Sequence, residues 1–258
     1  MKMALFLLGK EGLPLAEKIY HSQHEVDLYF HQDLKSTLAH QKFERILEET
    51  KLRFSEYQNL VYIMPCGVVV RAIAPLVQSK LSDPAVVVMD VLGRWAISLL
   101  SGHEGGANRL AEELSFLTSA EPIVTTTTEA AKDLVVGIGC RKGISSSLVK
   151  EAIALALKEK NLSLASVRTL ASIDIKKEEE GLLEAARELE LPLRFFSVAD
   201  LKKIQTYNTQ SSFVEETVGV GAVSAPSALL AGSRTCLILE KMIYQGVTVS
   251  IAQENSLS

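Results

Sequence analysis

The run Ser101-Gly102-His103-Glu104-Gly105-Gly106-Ala107-Asn108 gathers an imidazole, a carboxylate and three glycines within one turn. It joins an apolar stretch, Trp95–Leu100, to a segment with apolar residues at Ala107, Leu110, Ala111, Leu114 and Leu117, the spacing of an amphipathic helix. A helix start stripped of side chains exposes backbone N–H groups, and those groups attract an anion. Ser101 and Glu104 have the S-x-x-E spacing of a capping box, which predicts Ser101 as the N-cap and His103 at the second helical position. The positive helix end keeps a histidine there neutral, able to take a proton from water or a hydroxyl. The competing reading has Ser101 and Glu104 capping the helix and His103 filling surface. Capping alone needs no three glycines, each of which costs roughly 1 kcal/mol inside a helix. His103 and Glu104 are therefore the candidate catalytic residues, with Ser101, Gly102, Gly105, Gly106 and Asn108 as candidate substrate contacts.

Other stretches carry weaker signals. Gly67–Pro75 follows an apolar run and opens a second helix that could face a ligand at a sheet edge; Gly67 and Arg71 are its candidates, the guanidinium fork suiting a carboxylate. An ordinary surface arginine is the alternative. Asp83 belongs to an Asp-Pro turn, and Asp90 either orients His103 or begins a hairpin turn. Thr127 and Thr128 close a threonine run at a strand end, where hydroxyls bind an anion or cap the next element. Gly137–Gly143 imitates a dinucleotide fingerprint, but its spacing is GxGxxxG and no acidic residue closes the second strand, so it reads as an anion loop with Gly139, Arg141 and Gly143 as contacts. Lys142 is a further carboxylate partner. Cys140 beside two cations is either somewhat acidic or a small residue in a tight turn. His21, His24, His31 and His40 have no i, i+4 pair and read as solvated loop residues, not metal ligands. Lys176–Glu180 reads as a solvated helix face.

Short apolar strands alternate with helical stretches and must position these residues. Strands are predicted at Ala4–Leu8, Val26–Phe30, Leu60–Met64, Ala85–Asp90, Trp95–Leu100 and Ile123–Thr126, with helices at Pro14–Tyr20, Thr37–Arg53 and Val68–Gln78. Only Val91–Arg94 separates two of the strands, which predicts an antiparallel hairpin. A boundary near Ala130–Lys132 divides an N-terminal domain, 1–131, from a C-terminal one, 132–258. The second half continues with strands at Leu134–Gly139, Leu164–Leu170 and Leu193–Phe196 and helices at Ser145–Lys158, Lys176–Leu189 and Val198–Ile204. It closes on an exposed loop, Gln205–Ser212, an apolar Val218–Val223, a helix from Pro226, and strands at Cys236–Leu239 and Val247–Ile251. The fold class is α/β: two α/β domains, mostly parallel sheets with flanking helices, and an antiparallel hairpin in the N-terminal half.

Composition narrows the partners. The chain has 258 residues, 47% hydrophobic and 22% charged, enough for a sizeable core. A net charge of -4 gives no footprint for nucleic acid, so an acidic ligand must be held by local arginines and backbone dipoles. Cys66, Cys140 and Cys236 are far apart and suggest neither zinc nor disulfides, which fits a reducing cytoplasm. The apolar run near the N-terminus is too short for a signal segment or a membrane span.

With these stretches in place, the chain resembles the cobalt-precorrin-5A hydrolase family of anaerobic cobalamin (vitamin B12) biosynthesis. The resemblance rests on GVVVRAIAP (Gly67–Pro75), KLSDPAVVVMD (Lys80–Asp90), LLSGHEGGAN (Leu99–Asn108), Thr125–Glu129, VGIGCRKG (Val136–Gly143), the Leu170–Leu183 region and Val247–Ile251. It spans nearly the whole chain, least distinctly in the first fifty residues, and the combination is specific where single stretches are not. It implies opening of the δ-lactone of cobalt-precorrin-5A and loss of a two-carbon unit as acetaldehyde, leaving cobalt-precorrin-5B. The substrate is a tetrapyrrole rimmed with acetate and propionate groups, which suits a cleft lined by helix N-termini and arginines. Cobalt arrives inside the substrate, so no separate cofactor or protein-held metal is expected. A homo-oligomer and contacts with other enzymes of the pathway stay open. Two departures stand out: Ala225 where the family is expected to carry an acidic residue, and Thr127 where a smaller Ala is usual. Two other readings remain: a non-catalytic protein that shields a corrinoid intermediate, and a nucleotide-dependent enzyme using Gly137–Gly143.

Overall fold

The computed structural model describes residues 2–22, 25–207 and 223–254. The chain divides into two compact units, Met1–Thr127 and Thr128–Ser258. The division falls a few residues before the 131/132 boundary read from the sequence.

The first unit runs β1 (Met3–Leu7), α1 (Leu13–Ser22), β2 (Val26–His31), β3 (Gln41–Phe43), α2 (Ile46–Arg53), β4 (Asn59–Ile63), α3 (Cys66–Ile73), β5 (Ala85–Met89), β6 (Trp95–Leu100), α4 (Ala107–Thr118), β7 (Glu121–Ile123) and the short α5 (Thr127–Ala130), which crosses the division. The strands form one sheet in the order β3-β2-β1-β4-β5-β6-β7. Strands β1 to β5 are parallel, β6 is antiparallel to β5, and β7 is parallel to β6. β1 and β5 are buried along their whole length, which is why they read as unbroken apolar runs. One face packs α1 and α4 through Ala16, Ile19, Leu110 and Leu114; the other packs α2 and α3 through Ile46, Val69 and Ile73. On that second face Phe6 stacks between Tyr29 and Tyr62, at ring-centroid distances of 5.1 and 4.7 Å. The Tyr57 hydroxyl donates to Asp27 at 2.6 Å, so it must accept from Tyr29, 2.7 Å away.

Several sequence expectations change here. The charged helix expected over Thr37–Arg53 is the edge strand β3 followed by α2: Phe43 alone turns into the core while Gln41 and Lys42 stay exposed, a strand alternation too short to register as a period. The strand expected at Ile123–Thr126 stops at Ile123, and α3 ends at Ile73, two residues before Pro75. The predicted hairpin is present, with its turn closed by Asp90.

The second unit runs β8 (Leu134–Cys140), α6 (Ser146–Glu159), β9 (Val167–Ile173), α7 (Glu180–Glu188), β10 (Leu193–Phe196), α8 (Val198–Tyr207), α9 (Ser224–Leu230), β11 (Thr235–Tyr244) and β12 (Val247–Glu254). Its sheet has the order β10-β9-β8-β12-β11, with β8 to β10 parallel and β12 antiparallel to both neighbours. The long β11–β12 hairpin turns on Gln245 and Gly246, both with positive φ, as a two-residue hairpin turn requires. α6 and α7 cover one face through Val149, Ile153, Leu182 and Ala185, and α9 covers the other through Ala228. Three boundaries move. Leu164–Ser166 is a 3₁₀ turn with Ser163 accepting the Ala165 N–H, so β9 starts at Val167. α7 starts at Glu180, because Asp174–Lys176 forms a turn first. α8 runs to Tyr207, so Gln205 begins no loop; the remainder of Gln205–Ser212, residues 218–222 and His24 lie outside the described residues. The two-sheet architecture, mostly parallel with flanking helices, is the fold class read from the sequence.

Candidate functional site

The Ser101–Gly106 segment is a closed loop and not a helix start. α4 begins at Ala107, with Gly106 as its N-cap at φ 88°. The Ser101 carbonyl accepts the Ala107 N–H at 3.2 Å, and the Gly102 carbonyl accepts the Asn108 N–H at 2.9 Å. The capping box is therefore absent. Ser101 adopts φ 56°, left-handed for a residue with a Cβ, and its buried Oγ has no hydrogen-bond partner among the described residues. Glu104 reaches away from Ser101 to Lys80, whose Nζ lies 2.5 Å from its carboxylate. That ammonium holds the Glu104 carboxyl below the usual carboxylate range. His103 stands ahead of the helix, not at its second position, and is exposed. The sequence pattern misleads because the glycines allow the chain one more tight turn before the helix. A Cβ on Gly105 would fall 2.4 Å from the Ser101 Cβ and 2.9 Å from the Ser101 carbonyl oxygen, so this turn closes only on glycine.

Asn108 fixes the loop. Its side chain is buried, accepts from Ser98 Oγ at 2.8 Å and donates from Nδ2 to Thr126 Oγ1 at 2.9 Å. Its Oδ1 also lies 2.7 Å from where a Gly102 Cβ would stand. Asn108 thus links β6, the loop and the segment after β7. Thr126, Ser98 and Lys80 were not singled out from the sequence. Their only signal was membership of the runs Thr125–Thr128, Trp95–Leu100 and Lys80–Asp90. Asp83 is similar: its carboxylate accepts the N–H groups of Gln78 and Ser79 at 2.9 and 3.1 Å, and its carbonyl lies beside Gly105. Thr127 and Thr128 are exposed in α5.

Gly67 and Arg71 do not join this loop. β6 runs against β5, so the end of β6 lies beside Val86 at the start of β5, whereas Gly67 follows β4 at the end where Ile63 pairs with Met89. The two stretches occupy opposite edges of the sheet. At its own edge Arg71 folds back over the N-terminus of α3, with Nη1 3.7 Å from where a Gly67 Cβ would stand. Its guanidinium has no carboxylate partner among the described residues.

In the second unit the Gly137–Gly143 loop is occupied by the chain itself. The Gly143 N–H donates to Glu179 Oε1 at 2.8 Å, and Lys176 lies 3.1 Å from the other oxygen. Burial pushes the Glu179 carboxyl up, but Lys176 and the Gly143 and Ile144 N–H groups outweigh it and hold the group below its ordinary value. Lys176 and Glu179 are thus a nearly buried pair, not a solvated face, because Glu179 turns in to serve the loop. Gly137 is fixed by packing: a Cβ there would lie 1.8 Å from the Ser224 carbonyl at the start of α9. Gly139 meets nothing closer than 3.7 Å, and Arg141 lies over the Gly246 turn. Burial pushes the Cys140 thiol up, so the acidic reading fails.

The remaining candidates settle locally. Asp90 accepts the N–H groups of Arg94 and Trp95 and binds the Arg94 side chain, so it serves the hairpin turn and not His103. His31 ends β2 against Phe43, and His40 stacks on Phe30, so neither is a solvated loop residue. Among the described residues no group of three or more His, Cys, Asp or Glu could hold a metal ion, and no helix is long and apolar enough to cross a membrane. Ala225 stands in the first turn of α9, where an acidic residue would meet the positive helix end.

Residues 48–129 match the family described as cobalamin synthesis G N-terminal, and residues 134–252 match cobalamin synthesis G C-terminus. A protein of Salmonella typhimurium named cobalt-precorrin-5A hydrolase is 28% identical over 77% of this chain and 82% of its own length. One of the same name from Priestia megaterium is 24% identical over 96% of this chain and 94% of its own. With both halves matched in order over most of its length, the chain belongs to the cobalamin synthesis G family, the family of the cobalt-precorrin-5A hydrolases.

Proposed function

We propose that this chain hydrolyses the δ-lactone of cobalt-precorrin-5A and releases acetaldehyde, giving cobalt-precorrin-5B. The coarser statement, an enzyme of the cobalt-precorrin-5A hydrolase kind in cobalamin biosynthesis, follows from its family. The observation that carries the finer reading is the pinned loop, which presents an exposed imidazole beside glycine N–H groups on a backbone that cannot drift. His103 takes a proton from water as it attacks the lactone carbonyl, or from the hydroxyl freed before carbon–carbon cleavage. The N–H groups of Gly105 and Gly106 face developing negative charge as oxyanion donors. Glu104, held by Lys80, keeps the loop in place from its outer side. Arg141 is a candidate for a peripheral carboxylate in the second unit, while Arg71, at the sheet edge opposite His103, takes no part in this site. The cobalt is part of the substrate.

The experiment is His103→Gln with purified cobalt-precorrin-5A, reading acetaldehyde. A loss of roughly 10²–10⁴-fold with unchanged thermal stability is expected of a general base. Release at the wild-type rate removes His103 from the mechanism. A wild-type protein that binds the substrate and returns the lactone intact in a single turnover is a carrier and not this enzyme.

A further inference from the structure

The strands β3-β2-β1-β4-β5 of the first unit are all parallel and stand in the order of the doubly wound dinucleotide-binding sheet. In that arrangement the loop after the first strand takes a phosphate, and an acidic residue closing the second strand takes the ribose hydroxyls. The fold supplies only the place; the side chains there must supply the ligand. A cleft of about 710 Å³, a size common among ligand sites, opens at the carboxyl ends of β1 and β2. It lies on the β2 side of β1, away from the β1–β4 reversal. The β1–α1 connection gives it Lys10, and the turn closing β2 gives it Asp33 and Lys35. Leu8, Leu13 and Leu34 form its apolar lining.

The connection after β1 reads Gly9-Lys10-Glu11-Gly12, a G-x-x-G without the full dinucleotide fingerprint. Gly12 still does what the glycine between helix and strand does in such folds. A Cβ there would stand 2.6 Å from Leu7 Cδ1 and 2.7 Å from Ile63 Cγ2, so glycine keeps the chain close against β1 and β4 before α1 begins. Asp33 follows about 20 residues later, the spacing of the acid that takes a ribose. Its side chain is 81% exposed and lies 3.4 Å from His31 Nδ1. The Asp33 N–H donates to that same nitrogen, which therefore holds no proton for the carboxylate, and both carboxylate oxygens stay free to accept from hydroxyls. The ammonium groups of Lys10 and Lys35 have no carboxylate or carbonyl partner among the described residues. Glu11 is exposed on the same turn, its Oε2 2.9 Å from where a Gly9 Cβ would stand, and its charge opposes an incoming anion.

We propose that this cleft binds a nucleoside phosphate. The base covers the leucines, Asp33 accepts from the ribose hydroxyls, and Lys10 and Lys35 hold the phosphate. Two sources share that chemistry: a free mononucleotide and the nucleoside half of a dinucleotide. The site lies on the sheet edge opposite His103, so its failure would leave the lactone reading untouched.

The test titrates the full chain calorimetrically with AMP, with a dideoxy analogue of AMP lacking both ribose hydroxyls, and with NAD. AMP should bind roughly tenfold more tightly than the analogue. Asp33→Ala should weaken AMP by roughly tenfold and leave the analogue unchanged, a difference that a damaged fold does not produce. Lys10→Gln with Lys35→Gln should weaken both by roughly tenfold, and Glu11→Gln should tighten both by about twofold. All four residues are exposed, so the fold survives these exchanges. Arg109→Gln, a cation already paired with Glu113, should change nothing. NAD binding more tightly than AMP supports the dinucleotide, and NAD binding no more tightly supports the mononucleotide. No binding of AMP at millimolar concentration, equal binding of AMP and its analogue, or Asp33→Ala and the double lysine variant binding AMP as wild type does, overturns the site.

Discussion

Ser101–Gly106 and Gly137–Gly143 are both glycine-rich and both lead from a strand toward a helix, yet they solve the same problem in opposite ways. In the second, the Gly143 N–H is already bonded to Glu179, and Gly137 exists to let α9 approach β8. In the first, hydrogen bonds to backbone carbonyls and the Asn108 amide fix the frame, while Ser101 is left with positive φ and a buried hydroxyl that has no partner among the described residues. Strain and an unmet polar group persist where the surrounding structure overdetermines them, and such places are enriched in function. The comparison teaches that glycine content marks close approach, and that only the partners tell a packed turn from an open site.

Glycine substitutions should separate the two most strongly. Gly137→Ala forces a Cβ onto a backbone carbonyl and should cost about 1–3 kcal/mol or more in urea unfolding. Gly105→Ala should cost a similar amount and also lower acetaldehyde release in the protein that still folds. If Gly137→Ala alone lowered the rate at unchanged stability, the assignment of the second loop to packing would be wrong.

Glu179→Gln comes next. The native carboxylate is held below its ordinary value, so its contribution is present above the ordinary carboxylate range and is lost as pH falls through the lowered one. The variant should lose about 1–3 kcal/mol near neutral pH and show a flatter acid limb of stability between roughly pH 5 and 3. A full acid limb in the variant would mean that other carboxylates govern it. Asn108→Ala should leave Ser98 and Thr126 without their partner, for about 1–3 kcal/mol, and should reduce the rate by more than the unfolded fraction explains.

Ser101→Gly tests the reverse side. Glycine accepts φ 56° and removes the buried hydroxyl, so stability should rise by about 1 kcal/mol while the rate falls. Unchanged rate with raised stability would show that the strain serves no chemistry. Lys80→Met should have the smallest effect, since its pair with Glu104 is exposed on the lysine side; the rate should stay within about twofold.

Much of the fold was legible. Fully buried parallel strands such as β1 and β5 must be apolar throughout, and five residues between β5 and β6 admit little but a hairpin. β3 was not legible, because a three-residue edge strand with one buried residue carries no period. The β11–β12 hairpin was only partly so: its Gln-Gly turn is a weak signal, and its exposed alternate residues interrupt the apolar run. The residue types of Ser101–Asn108 drew attention to this stretch as a helix start, where the structure has a closed turn. The capping box was wrong, because an S-x-x-E spacing cannot tell a helix start from a closed turn that precedes one.

The sequence by itself determined the alternation of strands and helices and the family, since these rest on local periodicity and on motifs in order. Only the tertiary structure decided which motifs meet. The reversal of β6 against β5 sends His103 to one edge of the sheet and leaves Gly67 and Arg71 at the other. Strand direction is set by pairing between distant segments, and no spacing along the chain records it.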